Sequence, residues 1–201
     1  MPKEKLVGMI ISFISIVLIL FILFKKEEPF FNLNKVFKEH LALFSNCKSQ
    51  YFVFYVFPLV LGVGLSLLFP TNAAFFSHLG VVLSIILSML LALLAILSSV
   101  DFSKIKEKDV GEKAQTAVKQ TINAIIFCCV IGIALLLLGF VVIAVSGNPI
   151  DWLPFDISLC KTIGSVFTYY LFIVVLLNLL LIIKNMYKII ELNMSIMGKN
   201  K

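Results

Sequence analysis

The sequence predicts an all-α membrane protein. It is a helical bundle of five transmembrane helices, a four-span core plus an N-terminal helix, with the N-terminus outside and the C-terminus cytoplasmic. Three observations predict it. Of 201 residues, 61% are hydrophobic and only 14% are charged, against about 45–50% and about 25% in soluble domains. Mean hydropathy is +1.08, and no soluble core of this size hides so much apolar surface. The apolar residues fall in five unbroken runs, at 6–24, 51–69, 79–99, 122–146 and 163–183. A span needs about 20 such residues to cross a hydrocarbon core about 30 Å thick. Lipid offers no partner for free backbone groups, and continuous rather than alternating runs select helices over a barrel.

The first run closes an N-terminal unit, 1–29. It follows Met1-Pro2-Lys3-Glu4-Lys5 and stops at Lys25-Lys26-Glu27-Glu28. It is longer than a secretory h-region and has no small-residue cleavage site, so it reads as a span and not a signal peptide. In 30–50, Leu33, Val36, Phe37, Leu41 and Phe44 fall near helical spacing, with Lys35, Lys38 and Glu39 on the other face. That pattern fits an interfacial cytoplasmic helix, and equally an amphipathic connector packed on the bundle. Residues 51–99 hold the second and third spans. A charged cytoplasmic loop, 100–121, follows. Its last ten residues are good helix formers, so the fourth span starts in the cytosol. Residues 122–192 hold the fourth and fifth spans. The fifth helix runs on to about Glu191, a length of about 43 Å at the standard rise, and projects inward before a cytoplasmic tail, 193–201.

Charge sets the orientation. There are 17 lysines, no arginine and 11 acids, for a net charge of +6. With the N-terminus outside, the inner segments carry 14 lysines, and the outer ones only Lys3, Lys5 and Lys161. Lysine excess marks the cytoplasmic side. The outer loop instead holds Asp151 and Asp156 around Trp152. The missing arginine argues against direct nucleic-acid binding, which leans on the guanidinium fork.

No catalytic set stands out. Cys128 and Cys129 sit in an apolar run and behave as small hydrophobes. Cys47, Cys160, His40 and His78 make no metal-ligand spacing, so neither metal nor cofactor is expected. The five runs contain no ionisable Asp, Glu, Lys, Arg or His, which disfavours coupled transport. Small residues suggest helix packing instead: Gly62 and Ser66, then Ser84, Ser88, Ala92 and Ala95, then Gly132 and Gly139. Asn178, deep in the fifth span, is expected to hydrogen-bond between helices. Pro58 marks a kink or hinge in the second span. On the inner face, Lys104, Lys106, Lys108, Glu112 and Lys113 of the loop and Lys184, Tyr187 and Lys188 of the fifth helix are candidates for docking a soluble partner.

Three segments carry a likeness: Tyr55-Val56-Phe57-Pro58, the stretch from Thr121 to Phe127 after the charged loop, and Leu177-Asn178-Leu179 leading into Lys184-Asn185-Met186-Tyr187-Lys188. Over residues 45–192 the chain resembles the small four-span bacterial membrane proteins found beside phage-defence genes, above all the membrane component of the Kiwa anti-phage system. The run 6–24 departs from that four-span pattern. The resemblance implies a non-enzymatic inner-membrane sensor or scaffold. Such a protein forms homo-oligomers and holds a soluble, DNA-binding effector at the cytoplasmic face. The alternatives are a homo-oligomeric pore or depolarising effector, which needs no charged lining, and a bacteriocin-type immunity protein.

Overall fold

The computed structural model describes residues 33–42, 48–69, 71–99, 108–146 and 157–199. The run 6–24, Lys104 and Lys106, and the outer loop with Asp151, Trp152 and Asp156 lie outside the described residues. Every regular element among the described residues is helical. Helix α1 is Leu33–Ala42. Helix α2, Lys48–Tyr51, passes through a π turn, Phe52–Val56, into α3, Phe57–Leu68. Then come α4, Ala73–Ser98, α5, Lys108–Ser146, and α6, Ile157–Lys199. Among the described residues four stretches are long and apolar enough to cross a membrane: Ser49–Leu68, Ala73–Ser98, Ala114–Phe140 and Thr162–Glu191. They suggest a multi-pass membrane protein.

The helices start and stop for local reasons. Asn72 caps α4, its side-chain oxygen accepting from the Phe75 amide at 2.8 Å, which satisfies one of the free donors of the first turn. Helix α5 starts well before its apolar run, because 108–121 contains good helix formers and no proline. The π turn has its cause in Pro58. Proline has no N–H to give the Phe54 carbonyl, and its ring crowds that carbonyl. The chain widens one turn earlier, where the Phe57 amide donates to the Phe52 carbonyl. Such widenings relieve a blocked ladder without breaking the helix.

The four candidate spans stand in a row, in the order α3, α6, α5, α4, with α1 laid against α5. Among the described residues α3 and α4 do not approach each other along their lengths, although only a short turn joins them. That turn is fastened to α6 instead. The Tyr169 hydroxyl donates to the Phe69 carbonyl at 2.8 Å, and the Thr71 and Ser165 hydroxyls lie 2.6 Å apart. The row explains the burial. The best windows of α5 and α6 are 44% and 39% buried, those of the outer two spans 17%, so α5 and α6 form the centre.

Two apolar clusters fill the seams. One joins Phe76, Leu79 and Leu83 of α4 to Phe127 and Leu135 of α5 and Val174 of α6. The other joins Leu90 and Leu97 of α4 to Ile125 and Cys128 of α5 and Ile182 of α6. Lipid tails are as apolar as leucine, so close backbone approach and dispersion hold such seams together.

Candidate functional site: the lysine-bearing end

At one end of the row, Lys184, Tyr187 and Lys188 are exposed on α6, just past its apolar run. A cavity of about 500 Å³ opens beside them, between α2 with the π turn, α5 and α6. Gln50, Gln120 and Asn185 contribute amides to its wall. Phe54, Leu180 and Leu181 give it an apolar side. Of the other docking candidates, Lys108, Glu112 and Lys113 lie on the first turns of α5.

Helix α1 docks on α5 nearby. The Asn123 amide donates to Glu39 Oε2 at 2.8 Å, and Lys35 Nζ lies 4.0 Å from Glu39 Oε1. His40 is fully buried and stacks on Phe127, with ring centroids 3.8 Å apart at 12°. Phe37 meets the same ring edge-on at 5.2 Å. Burial drives the His40 imidazole down from its ordinary 6.5 to about 4, because a charged ring loses its water there. So α1 packs on the bundle through Val36, Phe37 and His40, while Leu41 is exposed. Sequence reasoning set Glu39 on the polar face and His40 aside. The available signal was that Val36, Phe37 and His40 share one helical face.

The small residues divide. Gly62 and Ser66 are buried in the seam between α3 and α6. A Cβ on Gly62 would lie 3.1 Å from the Tyr170 nitrogen and 3.2 Å from the Val166 oxygen, both backbone atoms of α6. Gly132 and Gly139 face Leu87 and Phe76 of α4, where a Cβ would meet flexible side chains at 2.9 and 3.0 Å. Ser84, Ser88, Ala92 and Ala95 are all exposed on α4. The two serine hydroxyls bond back to the Gly80 and Ser84 carbonyls of their own helix.

Asn178 is buried at 1% exposure, but its amide donates to the Val174 carbonyl within α6 and not across to a neighbour. Its Oδ1 has no partner among the described residues. Pro58 is fully buried below the π turn. Cys128 is buried, Cys129 partly so, and both are free thiols. Among the described residues no three His, Cys, Asp or Glu side chains gather as a metal site would require.

Compared with protein-family models, curated proteins and solved structures, the chain finds no match. The likeness to the Kiwa membrane component therefore rests on the three sequence segments alone.

Proposed function

We propose that the chain is a non-enzymatic scaffold and sensor subunit in the inner membrane of a bacterium. It self-associates there and holds a soluble, DNA-binding effector of an anti-phage system on its cytoplasmic face. In this reading the run 6–24 adds a fifth span, the N-terminus lies outside and the lysine-bearing end lies inside. The observation that carries the docking role is the exposed group Lys184, Tyr187 and Lys188 on a helix that continues to Lys199. The anti-phage assignment comes from the resemblance. The exposed strip Ser84, Ser88, Ala92 and Ala95 offers a surface on which copies can approach closely. Stress in the bilayer changes helix tilt or packing between copies, and α5 and α6 carry the shift to the docked effector.

The test is co-purification. The tagged chain is expressed with its native gene neighbours, extracted in mild detergent, and the complex is identified and weighed. A stoichiometric soluble partner on an oligomer supports the proposal. A homo-oligomer that purifies alone and conducts ions in liposomes contradicts it and favours the pore. If Ser84→Leu with Ser88→Leu leaves both assembly and protection intact, the strip is not the relay.

A further inference from the structure

The cavity at the lysine-bearing end combines three properties. Among the described residues its charged wall is basic: Lys184 and Lys188 line it, and no acid does. Among the described residues neither lysine makes an ion pair or hydrogen bond, and the nearest acid on the helix, Glu191, lies outside the lining. Its neutral polar groups are the amides of Gln50, Gln120 and the largely buried Asn185, together with the Tyr187 phenol. Amides can donate two hydrogen bonds each to an oxyanion. Its remaining wall is apolar, formed by Phe54 one turn along from Gln50, with Leu180 and Leu181 one turn before Lys184. Apolar and cationic walls therefore meet at the level where α6 leaves its apolar run. The volume, about 500 Å³, lies within the range of small-molecule sites, about 300–1,000 Å³. Phe54 belongs to the π turn, and π turns are frequent beside binding sites.

We propose that this cavity binds an anionic membrane phospholipid, its phosphate headgroup held by Lys184 and Lys188 with the amides of Gln50, Gln120 and Asn185, and an acyl chain laid along Phe54, Leu180 and Leu181. Basic pockets between helices at the membrane surface suit such headgroups. A free phosphate would satisfy the lysines and amides but leave the apolar wall unused, which favours the lipid. The inference deepens the docking reading, because a bound lipid would couple the bilayer to the face that holds the effector. It rests on that reading only in placing this end at a membrane surface.

The test uses the full chain, purified alone in a neutral detergent and delipidated. Phosphatidylglycerol or phosphatidylcholine is added back, and retained lipid is counted by native mass spectrometry. The chain should retain phosphatidylglycerol in preference to phosphatidylcholine. Lys184→Gln with Lys188→Gln should weaken retention by about 30-fold, as expected for two surface lysines. Lys119→Gln, which removes an exposed lysine outside the cavity, should retain the lipid, and so should Lys184→Arg with Lys188→Arg. Equal retention of both lipids, or full retention by the double glutamine variant, overturns the proposal. Displacement of the lipid by inorganic phosphate that itself binds in its place assigns the site to a soluble anion and also overturns it. The docking reading fails separately: selective lipid retention with no co-purifying partner leaves the lipid site standing without it.

Discussion

Asn178 and His40 are the buried polar side chains whose surroundings ask most of them. The Asn178 amide donates within its own helix, and Oδ1 has no partner among the described residues. A buried acceptor without a partner costs about 1–3 kcal/mol, and replacing the group with an apolar one of similar shape recovers part of that. Asn178→Leu should therefore be neutral or stabilising by about 1 kcal/mol in detergent unfolding. A clear loss of stability would show that the carbonyl has a partner in the assembled protein. His40 gives a pH dependence. Its imidazole is neutral when buried, with its pKa lowered to about 4 against 6.5 when free. Lowering a base's pKa on folding means the unfolded or undocked state binds the proton first. The docking of α1 is thus fully supported above about pH 6.5 and weakens as pH falls towards 4, by up to about 3 kcal/mol. His40→Phe keeps the stack on Phe127 and should flatten this dependence. An unchanged pH profile in that variant would assign it to other groups.

At the scale of elements, two glycines of one helix make opposite predictions. Gly62 lies against the α6 backbone, whereas a Cβ on Gly64 would meet nothing within 4 Å. Gly62→Ala should cost about 1–2 kcal/mol, because backbone cannot move aside as a side chain can. Gly64→Ala should be neutral or stabilise by up to about 1 kcal/mol through helix propensity. Matched unfolding curves of the two variants decide it. The turn between α3 and α4 makes another prediction: Tyr169→Phe removes the bond to the Phe69 carbonyl and should cost about 1 kcal/mol. Much of this was legible from residue order. The runs 51–69, 79–99, 122–146 and 163–183 fall on helices to within a residue at their ends, and the early start of α5 and the overrun of α6 follow from helix formers beyond the apolar residues. Pro58 was legible as a disturbance, but its form as a π turn was not, since a proline fixes only what its own ring forbids. The orientation of α1 was missed because apolarity alone does not rank His40 against Leu41. The aromatic face of His40 finds Phe127, while Leu41 is left outside.

At the scale of the molecule, the row of spans was not legible at all. Hydropathy gives lengths and ends, but not neighbours. The strip Ser84, Ser88, Ala92 and Ala95 and the pair Gly62 and Ser66 have the same spacing signature, yet only the second lies in a seam of the chain. What separates them is the fastening of the 69–72 turn to α6, through Tyr169 and Ser165, which are about a hundred residues away in sequence. The cavity likewise joins Gln50, Gln120 and Lys184, three distant positions that no motif connects. In the proposed topology the four long apolar helices cross the bilayer with the lysine-bearing end on the cytoplasmic side. Single cysteines test it most directly, placed in a variant whose four native cysteines are replaced by alanine. Lys188→Cys reports one end of the row, and Ala74→Cys, exposed in the first turn of α4, reports the other. With a membrane-impermeant maleimide, Ala74→Cys should label in intact spheroplasts and Lys188→Cys only in inverted vesicles. Labelling of both from the same side, or of Lys188→Cys from outside, would contradict the account.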